Sequence, residues 1–206
     1  MTNHTKNSAL AILLIGLVLL SKPSHQLCLI ILITSIFFIG LLRGVFSLKA
    51  NYFMPSLSKS PLNKCILTFD DGPNEYSLEV LEVLKKHQIS ALFFVIGKQL
   101  ELHQEIKEQI VREGHLLGNH TYSHAHNFAF MSSKMVMLEL EKTEVLLGNH
   151  SHKLFRAPVG ISNPNIARAV KKLKLTSIAW NLRSFDTKAN NPQRLVTSML
   201  KKVQTN

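Results

Sequence analysis

The sequence predicts an α/β fold with a mainly parallel sheet, carried behind an N-terminal membrane segment. Three observations predict it. From Cys65 onward, short strand-like runs alternate with amphipathic helical ones. The residues equipped for chemistry, Asp70, Asp71, His120, His124, Arg156 and Asp186, each fall just after a strand-like run. Parallel sheets and barrels bind their ligands at that end. Finally, two apolar runs open the chain, at 9–20 and 27–42.

The apolar runs come first in the chain. A helix needs about 20 apolar residues to span a bilayer, with a lower limit near 17. The run at 27–42 reaches that length once Val45 and Phe46 are counted, whereas the run at 9–20 must borrow Asn7, Ser8 and Ser21. Lys22, Pro23 and Ser24 suit a tight turn between them. A two-helix membrane hairpin is the first reading, one span plus an interfacial helix the second, and a cleaved signal peptide the third. Arg43 and Lys49 favour a cytoplasmic domain under the positive-inside rule, against Lys6 and Lys22 on the other side of the balance. The predicted division is a membrane anchor at 1–46, a linker at 47–64 containing Pro55, Pro61 and serines, and a domain at 65–206.

Composition agrees with that division. A chain of 206 residues, 46% hydrophobic, can bury one good core. The formal charge of +11 would suit nucleic acid, but its distribution argues against it. Every acidic residue lies after Pro61, and the early basic residues flank apolar runs, as membrane anchors require. The later lysines read as solvated helix faces, and there is no nucleic-acid motif. Cys28 and Cys65 are the only cysteines; they read as buried free thiols and exclude a disulfide scaffold.

Within the domain, the predicted order is a strand at 65–69, a helix at 77–87 and a strand at 91–96. A helix follows at 101–113 with Gly114 near its C-cap, then a short strand at 116–117. The remainder is a helix at 133–147 capped by Ser132 or Ser133, a strand at 154–155, and a helix at 164–173 with Asn163 and Pro164 as cap and first turn. A strand at 175–182 and a helix at 192–203 complete it.

Two stretches carry candidate chemistry. TFDDGP at 68–73 places two carboxylates side by side at a strand end, which is either an Asp-rich turn or a site in which one Asp binds a cation and the other handles a proton. HTYSH at 120–124 spaces two imidazoles four apart, which surfaces also produce by chance. Asp, His and His together would leave a position open for water, as catalytic zinc requires. His115, His126, His150 and His152 read as surface or supporting groups.

From Cys65 to the end, the chain resembles the polysaccharide deacetylase family, the NodB-homology domain of carbohydrate esterase family 4. TFDDGP, HTYSH and RAPVG at 156–160 match its first three motifs in order. The resemblance implies an irregular (β/α) barrel that removes N-acetyl groups from N-acetylglucosamine-containing polysaccharide, peptidoglycan or chitin-like. Asp70 would be the catalytic base, positioned by Arg156, with the Val159 N–H facing the oxyanion. Asp71, His120 and His124 would hold a divalent metal, usually zinc. Pro158, Trp180 and Asp186 would line the substrate site. Two departures stand out. Arg183 and Thr187 replace the Asp and Trp of the fourth motif, and no Leu-His strand follows Asp186, so the barrel is expected to lack its last strand and its general-acid histidine. The expected setting is a membrane-anchored domain outside the cytoplasm, partnered by N-acetylated glycan and membrane lipid and not by nucleic acid. An alternative function is a non-catalytic glycan- or metal-binding protein on the same fold. An aspartyl phosphatase would need its two Asp separated by one residue, and here they are adjacent.

Overall fold

The computed structural model describes residues 2–21, 23–60, 64–186 and 191–204. Lys22 of the expected turn, Pro61 of the expected linker, Thr187 of the fourth motif, and Thr205 and Asn206 lie outside the described residues.

Two helices open the chain, α1 (Asn3–Leu19) and α2 (Gln26–Phe46). They pack against each other as an antiparallel pair. Among the described residues, only α2 is long and apolar enough to cross a membrane. Its 21 residues make it about 31 Å long, close to the thickness of a bilayer core. The first reading, a hairpin of two spanning helices, is therefore corrected: α2 alone has the length and composition of a span. The first six residues of α1, Asn3 to Ser8, are all polar, and what remains of its 17 residues is too short.

The domain is built on a six-stranded sheet in the order β1-β6-β5-β4-β3-β2, with every neighbouring pair parallel. The strands are β1 (Ser56–Leu57), β2 (Thr68–Gly72), β3 (Leu92–Val95), β4 (Leu116–Asn119), β5 (Ser151–Phe155) and β6 (Thr176–Ile178). The helices that cross between them are α3 (Tyr76–Lys86), α4 (Gly97–Leu102), α5 (Gln104–Arg112), α6 (Ser133–Leu147) and α7 (Pro164–Lys172), with α8 (Pro192–Gln204) last. The caps follow the chemistry read from the sequence: Ser132 accepts from Met135 N–H at α6, and Asn163 accepts from the N–H groups of Asn165 and Ile166 at α7. The helix expected at 101–113 is instead α4 and α5, broken at His103.

β3 is buried along its whole length, as a strand with partners on both edges should be. Two apolar clusters cover the sheet. One gathers Leu81, Phe93, Ile110, Leu117 and Leu147; the other gathers Phe128, Leu140, Phe155, Ile166 and Ala179.

Three expectations are corrected here. The segment read as a linker is packed: Leu48, Tyr52, Phe53 and Met54 are buried, and β1 pairs with β6. Its apolar side chains outweigh the loop signals of Pro55 and the serines. Cys65 is exposed, as is Cys28. The strand starts at Thr68, where its partner β3 begins, and leaves Cys65, Ile66 and Leu67 outside the ladder. His115 is no surface group. It is buried against Phe93, its Nδ1 accepts from the Ala91 N–H, and desolvation pushes its imidazole below the ordinary value of 6.5.

Candidate metal centre and active site

Adjacent side chains on a strand point to opposite faces, so Asp70 and Asp71 should diverge by default. A β-bulge sharpens the divergence. Asp70 pairs with Phe94 and Gly72 with Val95, leaving Asp71 as the extra residue. Asp71 takes a left-handed backbone, φ 69°, which Asp tolerates better than most residues. The bulge aims its carboxylate at the loop after β4, while Asp70 faces the loop after β5.

That first loop carries His120 and His124. Asp71 Oδ1 lies 3.3 Å from Nε2 of each imidazole. One ligand atom from each of the three residues falls within 4.8 Å of the others. The His120 ring is fixed by its other nitrogen: Nδ1–H donates to the Arg156 carbonyl at 2.8 Å, which leaves Nε2 as the lone-pair end. His120 is buried and His124 half-buried.

Electrostatics favour a cation in this cluster. Hydrogen bonding to His120 holds the Asp71 carboxyl below its ordinary value of 3.8; desolvation opposes this, and the charges of His120, His124 and Arg183 reinforce it. Desolvation, with His120 adding to it, pushes His124 below 6.5, so that imidazole is neutral near pH 7 and offers a lone pair. The spacing also fits. Tetrahedral ligand atoms about 2.1 Å from a zinc ion sit about 3.4 Å from each other, and both Asp71 to imidazole distances here are 3.3 Å.

The loop that presents both histidines is held from outside the motif. Glu139 on α6 accepts from the Tyr122 N–H at 3.2 Å, the Ser123 N–H at 2.8 Å and the Ser123 hydroxyl at 2.8 Å. Asn119 accepts from the Thr121 N–H and donates to the Leu140 carbonyl and to Glu144. These bonds hold Thr121 and His124 in left-handed backbone conformations, φ 68° and 47°. Sequence reading missed Glu139. It looked like one more charge on a helix, and its tie to a loop 17 residues away appears only in three dimensions.

On the other side, Arg156 is 1% exposed. Its Nη1 donates to Asp70 Oδ1 and to Thr68 Oγ1, both at 2.7 Å. Burial pulls the guanidinium below its ordinary value, and Asp70 opposes that pull. Arg156 also opens a column of stacked rings and guanidiniums. It lies 4.2 Å from the Phe94 ring centre and 4.8 Å from that of Trp180; Arg183 lies 4.4 Å from Trp180 and 4.9 Å from Phe185. Gly160, at φ 79°, lets Trp180 close on the RAPVG turn: a Cβ there would meet the indole at 2.6 Å.

The structure therefore brings together Asp70, Asp71, His120, His124 and Arg156, with Trp180 stacked on Arg156. Pro158 is buried in the turn after β5, and Val159 beside it is exposed with a left-handed backbone, φ 58°. Asp186 stays apart. It is exposed, and its carboxylate accepts from the Ser184 hydroxyl at 2.7 Å.

The comparisons with known proteins agree with this geometry. A profile of the polysaccharide deacetylase family matches residues 58–178. Peptidoglycan-N-acetylglucosamine deacetylase of Bacillus cereus is 32% identical over 146 residues, covering 68% of this chain and 53% of that protein. Chitooligosaccharide deacetylase of Azorhizobium caulinodans is 30% identical over 139 residues, covering 65% of this chain and 66% of that protein. Among solved structures, a family 4 pseudoenzyme from Bacillus anthracis superposes with a TM-score of 0.62 at 28% identity, over 66% of this chain and 50% of that one. The chain spans about half the length of the first of these relatives. With the family profile matching more than half of its residues, the chain belongs to the polysaccharide deacetylase family.

Proposed function

We propose that the protein is a metal-dependent hydrolase that removes N-acetyl groups from N-acetylglucosamine-containing polysaccharide, peptidoglycan or chitin-like. The observation that carries this reading is the convergence of Asp71, His120 and His124 beside an Asp70–Arg156 pair. Asp71, His120 and His124 would hold the ion, zinc by their nitrogen and oxygen donors. Once bound, that ion supplies Lewis acidity for the amide carbonyl and acidifies water.

The chain's own residues do the rest. Arg156 holds one oxygen of Asp70, and no described residue donates to the other, which is left to take the proton of the attacking water. The Val159 N–H donates to the oxygen that gains charge as the carbonyl carbon becomes tetrahedral. The proton held by Asp70 then passes to the amide nitrogen as the carbon–nitrogen bond breaks, giving acetate and a free amine. This accounting closes without a second acid. Pro158 and Trp180 shape the acetyl side of the site, and Asp186 meets the sugar from the rim.

In this reading residues 1–46 anchor the protein through α2, and the chain from Leu48 onward forms the deacetylase-type domain, with β1 in its sheet. The domain lies outside the cytoplasm, on the side of the membrane where peptidoglycan, named for the Bacillus cereus relative, is laid down. Kinship with a pseudoenzyme favours one second reading, a glycan- or metal-binding protein on the same fold.

The test is acetate release from N-acetylglucosamine oligomers and from peptidoglycan by the zinc-loaded full chain in detergent. The expected result is release by the parent and a loss of about 10²–10⁴ in Asp70→Asn. A folded, zinc-bound protein that releases no acetate from either substrate would leave the binding reading in its place.

A further inference from the structure

The end of α2 and the catalytic site share one edge of the domain. The Ser162 N–H donates to the Val45 carbonyl at 2.9 Å, and its hydroxyl donates to the Gly44 carbonyl at 3.1 Å. Gly44 lies against the Tyr52 ring so closely that a Cβ would collide with it. Just beyond α2, Leu48 enters the apolar cluster with Phe128, Met131, Ala157 and Ala179. These contacts come from the loops that form the site. Ser162 follows RAPVG, Phe128 and Met131 follow HTYSH, and Ala179 precedes Trp180. The start of α1 docks there too: the His4 N–H donates to the Tyr52 carbonyl at 2.9 Å, and the Asn3 amide donates to the Asn51 carbonyl at 3.1 Å.

No flexible spacer separates the apolar helix from the domain. The 3-10 turn at Leu48–Ala50 and the buried segment after it are fixed to both. The same edge exposes apolar side chains, Phe130 at 90% and Val159 at 62%. Phe130 is flanked by carbonyls that accept from Asn163 and Asn165, next to the Ser162 that grips α2. Exposed Lys6, Arg43 and Lys49 lie at this end of the two helices, where charged side chains flank an apolar span at the bilayer surface.

We propose that the site works on an N-acetylated sugar carried on a membrane lipid, reached at the bilayer surface, rather than on glycan distant from it. This rests on the deacetylase reading and on α2 spanning the bilayer. The joint at Gly44, Val45 and Ser162 holds the loops of the site against the end of α2, where the bilayer surface would lie. A lipid-borne substrate confined to that surface gains effective concentration without any new contact.

The test uses the full chain in vesicles of phosphatidylcholine and phosphatidylglycerol. Acetate release is compared for an N-acetylglucosaminyl lipid in those vesicles and for soluble tetra-N-acetylchitotetraose at equal bulk concentration. The expected result is a rate at least about tenfold higher on the lipid-borne sugar. Equal or faster release from the soluble oligomer overturns the proposal and leaves the deacetylase reading standing. Release from neither removes both. A second measurement needs no turnover. Trp180 is the single tryptophan of the chain, so Phe130→Trp adds one reporter. Its emission is expected to be quenched by lipids brominated near the headgroup, by more than that of the parent. No added quenching would mean that this edge stands clear of the membrane.

Discussion

The two sides of the candidate site are held in different ways. On the side of the metal cluster, the loop carrying His120 and His124 donates hydrogen bonds to Glu139 on α6 and to Asn119 at the end of β4, which is itself tied to α6. On the side of Trp180, Arg183, Ser184, Phe185 and Asp186 are held by ring stacking, by one hydroxyl bond among themselves and by a long bond from Arg183 to the Val159 carbonyl. The first arrangement is directional, because each backbone N–H is aimed at one acceptor. The second is tolerant, since a guanidinium slides over a ring at little cost. The cluster is therefore fixed by the fold, while the rim is where this chain departs from the family's fourth motif.

The hardest test of that contrast is to remove a member of the cluster. His120→Ala should abolish zinc binding, measured by calorimetry, and bring acetate release down to background. In the parent, free zinc at roughly 100-fold above its Kd should stabilise the fold by about 2.7 kcal/mol, read as a rise in Tm that chelation reverses. A parent whose Tm ignores zinc would break the comparison at its root, because the cluster would then hold no ion.

Arg156 comes next, since it belongs to both sides, pairing with Asp70 and stacking on Trp180. Arg156→Ala leaves Asp70 beside Asp71 without its counter-charge and empties a buried volume. Loss of one partner of a buried pair costs about 3–5 kcal/mol, which urea unfolding would detect. Arg156→Lys should recover some of that stability but little activity, because a single ammonium does not reproduce a planar guanidinium that stacks while it donates.

This contrast also shows what the sequence could reveal. Asp71, His120 and His124 sit in short motifs at strand ends, so a three-ligand cluster could be read from the residues, whereas the pairing of Arg156 with Asp70 followed only from the resemblance to the deacetylase family. The bulge at Asp71 could not, because a strand's period of two carries no mark of an extra residue. Glu139 was invisible for another reason: its partners, Tyr122 and Ser123, belong to another element. The segment at 47–60 misled because Pro55 and its serines read as a loop, while Leu48, Tyr52, Phe53 and Met54 took their places in the core through contacts no local pattern records. The alternation of strands and helices was legible, but strand ends followed the partner strand, as the late start of β2 at Thr68 shows.

Glu139→Gln sharpens the comparison without emptying space. The amide keeps one acceptor oxygen, but it loses the charge that three donors share. Outer partners of metal ligands typically matter by about 10–100-fold in metal affinity, so zinc Kd should rise within that range. Activity at saturating zinc should return most of the way to the parent's. A variant that binds zinc normally yet remains inactive would assign Glu139 to the chemistry rather than to the loop.

The smallest effect is expected at Arg183. Its guanidinium is partly exposed and sits between Trp180 and Phe185, with a long contact of 3.4 Å to the Val159 carbonyl. No carboxylate pairs with it among the described residues. Exposed stacking of this kind is worth about 0.5–1 kcal/mol, so Arg183→Gln should lower stability by no more than that and leave zinc affinity unchanged. Its effect should fall on KM, by a few-fold at most on that scale, with kcat nearly constant, because in the proposed reading the rim would hold the sugar in the ground state and the transition state alike. A fall in kcat with KM unchanged would mean that Arg183 acts on the reacting amide, and the division between a fixed cluster and a tolerant rim would then be drawn in the wrong place.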